Sequence, residues 1–109
     1  MTTTATVRDA PDEHRYEVVV DDDVAGFSDY RLEEGRIAFL HTEVGDAYAG
    51  QGLGKKLVTE MLDDVDHRGL EVVPLCPFVR KVISDDASRY LRLVPDDRRT
   101  ELGLDDLDT

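Results

Sequence analysis

Three glycines at alternate positions, Gly50, Gly52 and Gly54, stand immediately before Lys55 and Lys56. Glycine has no Cβ, so its backbone can approach a ligand closely and adopt positive φ. The residues that follow have helical spacing, and a helix start leaves backbone N–H groups unpaired, which suits phosphate or another anion. From Ala47 to Thr59 the two lysines are the only charged residues, so the chemistry offered here is anion holding. Reactive groups flank the stretch on both sides. His41 and Glu43 alternate on one face of an extended run, where they could serve as a base with an orienting partner or simply as a hydrogen-bonded pair. Cys76, the only cysteine, could be a nucleophile, an acid or a small apolar lining group. No set of His, Cys and carboxylates has metal-ligand spacing.

The elements that must position these groups follow from periodicity. Leu53, Leu57, Val58, Met61, Leu62 and Val65 fall on one helical face, with Lys55, Lys56, Thr59, Glu60, Asp63 and Asp64 opposite, and Gly69 ends the helix. Ahead of the loop, strands are expected over 14–20, about 24–32 and 36–43, with turns at Asp21–Asp23 and Glu33–Gly35. They form a three-stranded meander, and Gly26 marks a bulge or a close backbone approach. After the helix, residues 70–76 form a short buried strand that Pro74 interrupts, because proline has no N–H for the ladder. Strand, helix, strand in this order implies a right-handed crossover between parallel neighbours, splayed at the proline. Pro77 opens a second helix with Phe78, Val79, Val82 and Ile83 on one face, residues 85–90 connect, and Leu91, Leu93 and Val94 make a last apolar patch. The expected fold is mixed α/β, with a mostly antiparallel sheet, a splayed parallel strand pair and two helices. Residues 1–6 are expected to be a disordered start, 7–94 one domain, and 95–109 a loosely ordered acidic tail.

At 109 residues there is room for one core. A net charge of -12 argues against nucleic acid as partner, since a phosphate backbone would be repelled. The lone cysteine excludes an intrachain disulfide, and no leader or long apolar run is present, so a soluble cytoplasmic protein without membrane attachment is expected. Oligomeric state is not legible. His14 and His67 read as surface residues, and Phe27 and Tyr30 as core or cleft residues.

Among phosphate-binding motifs, a P-loop would need glycine where Ala49 stands and Ser or Thr where Lys56 stands. A dinucleotide fingerprint would need a third glycine at Lys55 and a parallel sheet from the outset, although Glu71 lies at a suitable distance. A third pattern covers about 16–94: His41-Thr42-Glu43-Val44, then Gly50-Gln51-Gly52-Leu53-Gly54, then the helix, then Pro74-Leu75-Cys76-Pro77-Phe78-Val79. In this order and spacing the chain resembles the GNAT superfamily of acetyl-CoA-dependent N-acetyltransferases, in particular its small single-domain Yjdj-type members.

The resemblance implies a GNAT-like fold with acetyl-CoA as acyl donor and an amine as acceptor. It implies that Val44 offers backbone contacts to the pantetheine arm, and that Gln51, Gly52, Leu53, Gly54 and Lys55 cradle the pyrophosphate, with Gly50 shaping the same loop. Glu43 becomes the candidate base, with His41 assisting, and Cys76 a candidate acyl carrier, acid or pocket wall. Two departures stand out. Ala49 occupies a position where the superfamily has Gln or Arg, and Val82 one where small members carry Tyr, which removes the obvious hydroxyl for protonating a leaving thiolate. Tyr90 is an alternative hydroxyl. These departures favour a second reading, a non-catalytic CoA-binding or protein-interaction module of the same fold. The acidic surface favours a cationic acceptor.

Overall fold

The computed structural model describes residues 5–104. Five strands form one sheet in sequence order: β1 (Ala5–Ala10), β2 (Arg15–Val20), β3 (Asp23–Glu33), β4 (Arg36–Val44) and β5 (Glu71–Pro74). The first four are antiparallel neighbours, and β5 lies parallel to β4. Helix α1 (Leu53–His67) makes the crossover between β4 and β5, and α2 (Pro77–Asp85) follows. Two single-turn helices complete the chain, α3 (Ala87–Tyr90) and α4 (Asp96–Arg99). The mixed α/β fold read from the sequence is thus the observed one, with two single-turn helices in addition to the expected pair. No helix among the described residues is long and apolar enough to cross a membrane.

The meander has four strands rather than three. β1 begins at Ala5, inside the stretch expected to be disordered, while residues 1–4 lie outside the described part of the chain. Its alternation of small apolar and polar residues is a weak strand signal, and tertiary contacts supply what the sequence pattern lacks. Asp9 accepts a hydrogen bond from Tyr30 Oη at 2.7 Å and an ion pair from Arg68 at 3.0 Å. Arg68 also pairs with Asp64 at 2.9 Å, and Asp64 accepts from Tyr16 Oη at 2.6 Å. One arginine at the end of α1 therefore ties the edge strand to the helix.

The core lies where α1 crosses the sheet. All six residues of its apolar stripe are buried, each worth roughly 1.5–3 kcal/mol of gross burial. They meet Tyr16, Tyr30 and Phe39, whose rings pack at 5.6–6.4 Å. At β4 and β5 both faces are covered, since the consecutive residues Ile37, Ala38 and Phe39, and Val72 and Val73, are all buried. Beyond α2, the connector expected over 85–90 is helical from Ala87 and buries Tyr90. The segment from Pro95, expected to be loose, contains α4 and returns Leu102 and Leu104 to the core. Arg99 anchors it by donating to the carbonyls of Val94 and Leu91, both at 3.0 Å. Residues 105–109 lie outside the described part.

Two bulges shape the sheet. Ala25 is the extra residue of β3 against β2, and Leu40 the extra residue of β4 against β3. Gly26, beside the first, also permits a close approach, because a Cβ there would lie 2.6 Å from the Glu43 carbonyl oxygen.

Candidate active site

β4 outruns its parallel neighbour. Pairing with β5 ends at Phe39 opposite Pro74, after which the Cys76 N–H still reaches the Phe39 carbonyl at 3.0 Å. From Leu40 to Val44 the strand keeps β3 on one side and, among the described residues, has no strand on the other. Its backbone polar groups there are free to bond an extended ligand. The Leu40 bulge also decides which side chains face α1. Without it, alternation from buried Phe39 would send His41 and Glu43 inward; the extra residue moves them to the outer face and turns Thr42 and Val44 toward α1. Thr42 accordingly meets Ser28 Oγ at 2.9 Å and Cys76 Sγ at 3.5 Å. Thr42, Val44, Gly54 and Phe78 line a cleft of about 190 Å³ between β4 and the starts of α1 and α2.

The glycine loop closes one end of this cleft. Gly50 and Gly52 have φ of 80° and 73°, so glycine is needed for conformation at both. Gly52 is the N-cap of α1, with no side chain capping the helix, and the Lys56 N–H makes the first turn's bond to the Gly52 carbonyl at 3.1 Å. The N–H groups of Leu53, Gly54 and Lys55 precede that bond and have no backbone partner among the described residues. Gly54 serves packing instead: a Cβ there would stand 3.1 Å from Phe78 Cζ and 3.5 Å from Val44 Cγ2. Of the two lysines, Lys56 is paired with Glu60 at 2.5 Å, whereas Lys55 is exposed and has no ion pair among the described residues. The net positive charge at this helix start therefore resides on Lys55.

On the outer face, His41 Nε2 and Glu43 Oε1 are 3.2 Å apart, with both side chains more than half exposed. Phe27 meets His41 edge to face at 6.4 Å, and the Arg15 guanidinium lies over Phe27 at 4.8 Å. Arg15 and Arg8 in turn clamp Glu17, which is 3 % exposed. Burial alone would raise the Glu17 carboxyl pKa, but the two guanidinium groups overcome it and hold the group below its usual range. Phe27, Glu43 and Asp46 border an open recess of about 460 Å³ at the end of this face, which Val44 also lines.

The structure brings together some of the residues singled out in the sequence and separates others. His41 and Glu43 touch; Cys76, 3 % exposed at the N-cap of α2, lies on the opposite face of β4. Gly54 borders the cleft, Val44 borders both recesses, and Gly50, Gln51, Gly52, Leu53 and Lys55 form the loop and helix start. Tyr30 is core, while Phe27 is half-buried at the outer recess. Tyr90 does not reach the cleft: its hydroxyl is directed at the Asp63 carboxylate, 3.2 Å away on α1. Burial, and then the Asp63 charge, push its pKa up to about 12. Thr42 is a cleft residue that strand alternation from Phe39 could not place, because the Leu40 bulge reverses it; Ser28 lies behind it on β3, and Phe78 reaches the cleft from α2. Thr42 and Phe78 both stand in the quoted motifs, whereas Ser28 carries no sequence signal.

A model of the GCN5-related N-acetyl-transferase family matches residues 15–93. The chain belongs to this family. Among solved structures it is similar to the NMR solution structure of a GCN5-like protein from Staphylococcus aureus, with 22 % identity, a TM-score of 0.62, and 83 % of this chain and 87 % of that chain covered. It is also similar to the crystal structure of the ribosomal-protein-S18-alanine N-acetyltransferase from Escherichia coli, with 15 % identity, a TM-score of 0.53, and 65 % and 64 % covered. At these identities the likeness concerns the fold. No curated protein sequence matches. Family and fold together indicate acetyl transfer as the activity class.

Proposed function

We propose that this GCN5-related protein is a small, single-domain acetyltransferase of the Yjdj type, which moves an acetyl group from acetyl-CoA to an amine. One observation carries the reading: the stretch of β4 from Leu40 to Val44, which among the described residues has no strand on its second side, leads through the glycine loop to a helix start whose first N–H groups and Lys55 have no partner among those residues. A cleft of about 190 Å³ is smaller than a whole-ligand pocket, typically about 300–1,000 Å³. It suits a narrow arm such as pantetheine, leaving the nucleotide outside. In this reading the backbone at Val44 bonds the arm. The loop Gly50, Gln51, Gly52, Leu53 and Gly54 presents N–H groups to the pyrophosphate, and Lys55 adds charge. Ala49 offers no side-chain contact, so backbone and Lys55 carry the anion.

The amine docks on the outer face, where Glu43 and Asp46 border the recess and favour a cationic acceptor. Glu43, oriented by His41, takes the proton the amine loses, directly or through water. Titration calorimetry with acetyl-CoA and with free CoA, at low and moderate salt, tests the donor site. Micromolar binding that weakens with salt and is lost in Gly54→Leu supports it, and absence of binding to either ligand refutes it. With binding in hand, Glu43→Gln should leave donor affinity intact and slow CoA release in the presence of amines at least about tenfold. Binding without release in the wild-type chain would instead identify a CoA-binding module.

A further inference from the structure

Resting on the proposed transfer, the departing sulfur of CoA still needs a proton, and neither Val82 nor Tyr90 can give one. Val82 has no hydroxyl, and the Tyr90 hydroxyl is engaged at Asp63. Glu43 faces away on the outer side of β4. Of the four residues lining the cleft, Thr42, Val44, Gly54 and Phe78, only Thr42 carries a side-chain donor.

Counting hydrogens fixes what Thr42 does with it. Ser28 is 0 % exposed, and Thr42 Oγ1, at 2.9 Å, is the only hydrogen-bond partner of its hydroxyl among the described residues. If Thr42 donated to Ser28, the Ser28 proton would be buried without an acceptor, which costs more than the bond gains. Ser28 therefore donates to Thr42. Cys76 Sγ, 3 % exposed and 3.5 Å from the same oxygen, donates as well. A threonine oxygen accepts two bonds and donates one, so the Thr42 O–H is left over, on the residue that lines the cleft.

We infer that Thr42 protonates the departing CoA sulfur and is re-protonated by Cys76, with Ser28 positioning the hydroxyl between them. The amine nitrogen forms its bond to the acyl carbon, and collapse of the tetrahedral adduct breaks the C–S bond, leaving the electron pair on sulfur. Thr42 passes its proton to that sulfur as the Cys76 thiol passes its own to Thr42 Oγ1. The products are the amide, the CoA thiol and a Cys76 thiolate; the thiolate regains a proton from the one the amine gave to the base, by way of solvent. Acid and base thus stand on consecutive residues, 42 and 43, which strand alternation places on opposite faces of β4, one toward the thioester and one toward the amine.

The test measures donor affinity by calorimetry and CoA thiol release under saturating acetyl-CoA, with a panel of small primary amines. Thr42→Val should leave acetyl-CoA affinity within about twofold and lower kcat at least about tenfold, in the range of a lost general acid. Thr42→Ser, which keeps the hydroxyl, should stay within about threefold of wild type. Cys76→Ala should lose a similar factor, and the Thr42→Val/Cys76→Ala double variant should be no slower than the slower single one, because the two groups form one relay. Should Thr42→Val fail to fold, Cys76→Ala and Ser28→Ala carry the test, each with lowered kcat at unchanged affinity. Unchanged kcat in Thr42→Val, no rescue by Ser, or losses that multiply in the double variant would overturn the relay alone. Binding without turnover by the wild-type chain would overturn the transfer and the relay together, and absence of binding would overturn the donor site itself.

Discussion

At the scale of single residues, the glycines divide by what each prevents. Gly50 and Gly52 supply positive φ with open space around them, whereas Gly26 and Gly54 have ordinary φ and no room for a Cβ. The two crowded positions differ in what would have to move. At Gly26 the obstacle is the Glu43 carbonyl, held in the ladder between β3 and β4. At Gly54 it is the ring of Phe78, which is 40 % exposed and can swing outward. Gly26→Ala should therefore destabilise the fold by about 1–3 kcal/mol, as overpacking does. Gly54→Ala should be near neutral, the better helix propensity of alanine offsetting a shifted ring, while narrowing the cleft. Urea denaturation of the two variants checks this; a loss of stability at Gly54 equal to that at Gly26 would show that Phe78 is not free to yield.

At the scale of elements, the long, strongly periodic segments were legible from sequence. The stripe from Leu53 to Val65, the hairpin strands, the glycine loop and the break at Pro74 all lie where spacing and residue type put them. What escaped depends on partners distant in sequence. The Leu40 bulge has no local marker, and it reverses the faces of the four residues that follow. It therefore hid the meeting of Ser28, Thr42 and Cys76, although the adjacency of His41 and Glu43 was readable because both lie beyond it. β1 escaped for a similar reason: its six residues pair with β2, and Asp9, which two side chains from β3 and the end of α1 reach, ties the strand to the rest of the fold. Replacing Asp9 by Ala leaves the Tyr30 hydroxyl buried without its acceptor and removes one partner of Arg68. The expected loss is about 1–3 kcal/mol, and amide exchange should accelerate first in β1. Uniform acceleration across the sheet would mean that the edge strand is held by its ladder and not by Asp9.

At the scale of the whole molecule, a net charge of -12 is carried without leaving most cations free. Eleven of the thirteen lysines and arginines are in ion pairs, and among the described residues Lys55 and Arg80 are the two without one. Exposed pairs are each worth little, so the acidic surface works against the fold by self-repulsion. Alkaline conditions add to that load in a particular way. Tyr16, Tyr30 and Tyr90 are buried, and burial first, then the neighbouring carboxylates Asp64, Asp9 and Asp63, raise all three above the ordinary tyrosine value. The folded chain therefore holds these protons more tightly than the unfolded chain, whose tyrosines titrate near pH 10. Below that pH their contribution is fully present; above it, stability falls by about 1.4 kcal/mol per pH unit for each tyrosine still protonated in the folded state. Tyr90, pushed up to about 12, stops contributing there, while Tyr16 and Tyr30 continue. Phenolate absorbance of these three residues should consequently appear together with loss of circular dichroism in one cooperative step above pH 10. Tyr30→Phe, which removes one such proton, should flatten the alkaline slope while weakening the hold of Asp9. Gradual phenolate formation from pH 10 with native circular dichroism retained would show that solvent reaches the tyrosines in the folded chain, and that the carboxylates beside them do not hold their protons in place.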